Sequence, residues 1–216
     1  MYLMTTTSYV TTHLSYMPIC DLCNGNHYAR SCPIEKDKNY TQGLKEFGGH
    51  EIENKIGQYI KCPAIESNGK VCGGTLTILN DNSPSKDAVC TCGRIFEIKS
   101  KALSIPKGRI PDNLAFYGGL YDETVHRIEK EGLHILFVIY SINRIDKTIT
   151  ISTVYHASNR ILRNEKYQSV IITKRKDNNL SYIEIPNKIN LKELSIPEIK
   201  FSFKTQFEIL KAMVNK

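Results

Sequence analysis

Seven cysteines, Cys20, Cys23, Cys32, Cys62, Cys72, Cys90 and Cys92, crowd into the first 92 residues of this 216-residue chain, and none follows. An odd number leaves one thiol over in a framework of disulfides. The set divides without remainder if His27 joins the first three, giving two groups of four ligands, each able to close a tetrahedron around Zn²⁺. Thiolates kept for metal imply a reducing compartment, so the expectation is two zinc ions and a cytoplasmic protein, or a nuclear one if the source is eukaryotic.

The first group reads Cys20-Asp-Leu22-Cys23-Asn-Gly-Asn-His27-Tyr28-Ala-Arg30-Ser-Cys32-Pro. This stretch resembles the CCHC zinc knuckle, with three residues between Cys23 and His27 where the family has four. Gly25 and Asn26 accept a positive φ and so permit the tighter turn. The resemblance implies contacts to single-stranded RNA or DNA through Leu22 and Tyr28, with Arg30 for phosphate. The second group, Cys62, Cys72, Cys90 and Cys92, resembles a zinc ribbon over residues 58–105. Nine residues part its first pair and one parts its second, where the family uses two in each. Gly73 and Gly93 suit the turns, and Leu76, Ile78, Ile95, Phe96 and Ile98 suit the flanking strands. Both groups supply four ligands, so neither keeps the open position of a catalytic zinc.

Four further expectations concern organisation. Residues 1–19 are Thr-rich, carry neither the basic start nor the apolar core of a secretory leader, and read as a flexible tail. Residues 20–34 form the knuckle and residues 35–57 a charged linker to the ribbon. Residues 106–216 read as a separate β-rich domain. In it, His134–Ile142 is apolar on both faces, as a central strand would be, and turns through residues 143–146 into Lys147–His156. Val170–Lys176 and Leu180–Ile185 flank a second turn, and residues 199–203 alternate as a fifth strand. Helices are expected over Glu123–Glu131, capped by Asp122 and stopped by Gly132, and over Gln206–Asn215. The fold class is therefore α+β and strand-rich: two small zinc modules, then an antiparallel domain, like an OB barrel, with a closing helix.

Charge bears on function. The net formal charge is +7, and residues 106–216 alone carry eighteen basic groups against twelve acidic ones. Lys174, Arg175 and Lys176 at a hairpin tip, with Arg160 and Arg163 before them, are interleaved with Tyr155, Tyr167 and Tyr182. Such a mixture suits a single strand, whose phosphates follow the charge while its bases stack on rings. The string Glu97-Ile98-Lys99 has the E-x-K form used by metal-dependent nucleases. It is read here as a chance feature of a ribbon strand, because the matching upstream acidic residue is missing and Asp112 follows the string rather than precedes it. His126 and Glu129 read as a solvated helix face. No phosphate-cradling glycine loop or nucleophile elbow occurs, and no apolar run approaches a membrane span. The expected function is thus non-catalytic binding of single-stranded nucleic acid. The competing reading is an adaptor or subunit whose zinc modules grip a larger protein or ribonucleoprotein assembly.

Overall fold

The computed structural model describes residues 38–79, 86–103, 113–143, 148–176, 178–186, 191–196 and 199–202. The chain divides into two compact units, residues 1–41 and 42–216, and the description below concerns the second. The expected tail, the knuckle with Cys20, Leu22, Cys23, His27, Tyr28, Arg30 and Cys32, and the closing helix over Gln206–Asn215 lie outside the described residues.

The segment expected as a linker is a helix, α1, Lys38–Tyr59. It contains no proline, and Ile52 and Ile56, one turn apart, share a face and are fully buried, worth about 2 kcal/mol each. Glycine normally weakens a helix interior by about 1 kcal/mol, yet two glycines here carry the packing. A Cβ on Gly57 would meet the Leu76 carbonyl at 2.6 Å, and one on Gly48 would meet the Tyr140 ring at 2.8 Å. Only bare backbone fits that close to the sheet.

The sheet is built from β1 (Leu76–Ile78), β2 (Ala88–Cys90), β3 (Ile95–Ala102), β5 (His134–Asn143), β6 (Thr148–Ala157) and β10 (Ile199–Ser202), in that order, with β9 (Lys192–Glu193) also on β6. A second sheet holds β4 (Asn113–Leu120), β8 (Leu180–Pro186) and β7 (Ile172–Lys174). Both sheets are open rather than closed into a barrel, which corrects the OB-like expectation. The pairing is also not wholly antiparallel: β3 runs parallel to β5 from Phe96↔His134 to Ala102↔Tyr140. Parallel neighbours need a long crossover, and β4 with the following helix supplies it. That helix, α2, Tyr121–His126, continues as a π-helical turn, Arg127–Glu131. Gly132 ends it at φ 73, as expected, whereas Leu120 holds the N-cap position without a side-chain capping bond and Asp122, the expected cap, lies in the first turn.

The hairpin of β5 and β6 stands where the alternation places it, and β5 is buried from His134 to Tyr140. Two cores lie on the faces of this sheet. One gathers Ile52 and Ile56 of α1 with Phe96, Ile98, Leu136, Val138 and Tyr140. The other gathers Ile95, Ile135, Phe137 and Ile139 with Phe116, Ile128, Leu162, Ile171 and Ile183. Strands expected in the ribbon thus share one sheet with strands expected in a separate domain. No boundary at residue 105 divides them, because β3 is the inner strand that β5 needs beside it.

Candidate metal centre and candidate active site

Cys62 and Cys72 come from a short hairpin that follows α1. Lys61 bridges Thr75, Ile65 bridges Val71, and the tip turns where Gly69 N–H donates to the Glu66 carbonyl. The nine residues between these cysteines are that hairpin, which accounts for the stretched spacing. Cys72 N–H donates to the Ala64 carbonyl and Gly73 N–H to Cys62, folding both thiols toward one point. Cys90 ends β2, and the chain reverses through Cys92 to β3, with Gly93 at φ 84 making the turn that L side chains resist.

The four sulfurs lie within 4.8 Å of one another. Cys72 Sγ and Cys90 Sγ are 3.7 Å apart, far beyond the roughly 2.05 Å of a disulfide. Four thiolates about 2.3 Å from a central zinc would stand about 3.8 Å apart, so the geometry is compatible with metal binding. Burial raises the Cys62 thiol. Burial also pushes Cys92 up, but the Arg94 backbone N–H, together with bonds from Cys90, the Arg94 guanidinium and Cys72, outweighs it and brings Cys92 down to about 6. Arg94 Nη1 lies 3.2 Å from Cys92 Sγ, a cation placed to balance the negative charge of a thiolate cluster.

A second cluster lies on the other end of the β2–β3 hairpin. The register pairs Ala88 with Phe96, and one step further Asp87 N–H donates to the Phe96 carbonyl at 3.0 Å, which brings Asp87 beside Glu97. Lys99, two residues on, shares that face. Asp87 Oδ2 accepts the Ile98 N–H at 2.5 Å, and Lys99 Nζ pairs with Glu97 Oε1. Glu97 is 2% exposed, and its Oε2 has no hydrogen-bond partner. Burial pushes the Asp87 carboxyl up; the Ile98 N–H and Lys99 draw it down and the Glu97 charge raises it again. Burial alone would lower the Lys99 ammonium, but Glu97, Asp87 and, from α1, Glu53 hold it above its usual value. Two carboxylates and a lysine therefore converge, with one carboxylate oxygen unspent.

Asp87 is the residue that sequence reasoning missed. It stands ten positions before Glu97, on the upstream side where an acidic partner was sought. The signal that finds it is the hairpin itself: a turn centred on Cys92 brings the residues before Ala88 beside those after Phe96.

The expected basic track divides between elements. Arg160 lies on the short helix α3, Asn159–Leu162, and Arg163 caps its end; both are exposed. After α4, Glu165–Ile171, the chain enters β7, and Lys174 extends over the Tyr121 ring, 5.4 Å from its centre and 3.9 Å from Asp122. Arg175 stacks on Tyr182 at 4.1 Å, and Lys176 is exposed. His134 Nδ1 and His156 Nε2 meet at 3.0 Å beside Phe96, a buried pair with no counterpart in the sequence reading. No helix among the described residues is long and apolar enough to cross a membrane. No protein-family model matches the chain, and no curated protein matches it.

Proposed function

We propose that the chain is a divalent-cation-dependent phosphodiesterase acting on nucleic acid strands, with Asp87, Glu97 and Lys99 as its catalytic group and a structural zinc in the Cys62, Cys72, Cys90, Cys92 centre. The observation that carries the reading is the unpartnered oxygen of Glu97, buried beside Asp87 and Lys99. A buried polar atom left without a hydrogen bond costs about 1–3 kcal/mol in folding, and such a cost is retained where a ligand completes the site. The donors are hard carboxylate oxygens, which fit Mg²⁺ or Mn²⁺ rather than a thiophilic metal.

Such a cation, held by Asp87 and Glu97, would supply a Lewis acid and acidify a bound water. Lys99 leaves its pairing with Glu97 to hold the attacking water oxygen and a phosphate oxygen in line. In the hydrolysis the water releases one proton to solvent as its oxygen bonds to phosphorus, the bond from phosphorus to one sugar oxygen breaks, and the leaving oxygen takes up a proton from solvent. The +7 net charge, Arg160, Arg163 and the run Lys174, Arg175 and Lys176 support a polyanionic strand as substrate. This reading departs from the expectation of binding without catalysis, because the missing upstream carboxylate is supplied by Asp87. The proposal keeps two zinc ions per chain, the second held by Cys20, Cys23, His27 and Cys32. Metal analysis returning one zinc or fewer, with free thiols titrating, overturns that count.

The experiment is cleavage of labelled single-stranded DNA and RNA with Mg²⁺ or Mn²⁺ added. Wild type is expected to cut, and Asp87→Asn and Lys99→Met to lose at least about 100-fold. Salt-dependent binding with no cutting by wild type returns the protein to a non-catalytic binding role. Neither binding nor cutting leaves the adaptor.

A further inference from the structure

Among the other buried polar atoms without a partner is Nη1 of Arg127. Arg127 opens the π-helical turn Arg127–Glu131. Insertions of this kind are uncommon in helices and gather at functional sites, since they re-aim the side chains of one turn. The turn is tied to the strand that carries Asp87. Glu131 Oε2 lies 3.4 Å from Nζ of Lys86, the residue before Asp87, and Ile128 is buried in the core beneath the same face as Ile95 and Ile135. The positive charge of Arg127 acts on the Asp87 carboxyl and favours its ionised form. The hairpin thus holds a carboxylate oxygen without a hydrogen bond, and the π-helical turn holds a guanidinium nitrogen without one.

We propose that Arg127 is a phosphate ligand of this site, donating Nη1–H to a non-bridging oxygen of the substrate phosphodiester while Asp87 and Glu97 hold the cation on its other side. This rests on the phosphodiesterase reading above. Arginine suits the role because it stays charged and because its planar fork matches the spacing of two phosphate oxygens. A phosphate between Arg127 and a bound cation has its charge shared by both, and this attraction strengthens as charge builds on those oxygens in the transition state. Arg127 is then a group that touches substrate, distinct from the exposed lysines and arginines that track the strand.

The test compares wild type, Arg127→Ala and Arg127→Lys in two measurements, after thermal melts confirm equal folding. In Mg²⁺, cleavage of labelled single-stranded DNA and RNA should fall about 100-fold in kcat/KM for Arg127→Ala, with Arg127→Lys recovering part. In Ca²⁺, anisotropy of the same strands at several salt concentrations should show the slope of log K against log salt reduced by about 0.7, the loss of one phosphate contact. If wild type cuts and Arg127→Ala cuts equally well, the role given to Arg127 is wrong while the phosphodiesterase reading stands. If wild type does not cut, that reading fails, and the Ca²⁺ slope alone decides: an unchanged slope removes Arg127 from the phosphate path. Should Arg127→Ala unfold, Arg127→Lys provides both readouts, since a lysine reaching the same phosphate keeps the slope but loses the fork and part of kcat/KM.

Discussion

Asp87 carries a charge that the fold resists. Its folded pKa is raised, mainly by burial, so as pH rises the unfolded chain gives up this proton first, near the usual aspartate value of about 3.9. Stability therefore falls between that pH and the raised folded pKa, and stays reduced above it. Asp87→Asn keeps an oxygen for the Ile98 N–H and removes the charge. It should raise the melting temperature at pH 7, by the equivalent of about 1 kcal/mol, and abolish cleavage; melts at pH 3 should show no gain. The His134–His156 pair behaves in the opposite sense. Burial, with the charge of Arg94, brings His134 down to about 4, and burial, with His134 and Lys192, brings His156 down to about 3. Both are depressed below the unfolded value of about 6.5, so between these limits the unfolded chain binds more protons and stability is lost as pH falls. By pH 5 the loss should reach about 2 kcal/mol for each histidine. His156→Gln should roughly halve that dependence in denaturant unfolding followed between pH 7 and 5, leaving the share of His134; an unchanged profile places the acid sensitivity elsewhere. Neither effect was legible in the sequence, since His134 and Asp87 take their character first from burial and then from charges elsewhere in the chain, Arg94 for the one and Lys99 and Glu97 for the other.

Helix α1 shows why element identity escaped the sequence reading. Its composition is charged and contains four glycines among 22 residues, the profile of a linker by propensity alone. Tertiary contact overrides that preference, because Gly48 and Gly57 let the backbone approach the sheet and Ile52 and Ile56 then bury fully. Gly57→Ala tests the point. On helix propensity alone the change would stabilise by about 1 kcal/mol, but its Cβ would stand 2.6 Å from the Leu76 carbonyl, an overlap that backbone cannot yield to cheaply. A net loss of about 2 kcal/mol is expected in chemical denaturation; a gain would mean that α1 does not pack on β1 as described. The β5–β6 hairpin, by contrast, was readable, because a fully apolar strand beside an alternating one leaves a single pairing that buries both.

The strands β1, β2 and β3, which carry or flank the cysteines, continue into β5, β6 and β10 as one sheet, so the cysteine centre is coupled to the main core. Removing metal with a chelator, or changing Cys72 to Ser, should lower the one melting transition of residues 42–216 rather than melt a separate module. Calorimetry showing an early transition with the rest untouched would restore two domains. The sequence by itself determined the four-cysteine group, the charge excess and the central hairpin. Each of these depends on local spacing, alternation or residue count, which the chain carries from end to end. Only the tertiary structure decided that α1 is a helix, that β3 and β5 lie parallel, and that Asp87 comes beside Glu97 and Lys99. Those facts depend on which segments stack after the chain has closed loops of tens of residues. A loop's closing cost changes only slowly with its length, so local sequence leaves many such closures nearly equal, and the choice falls to the cores on the two faces of the sheet.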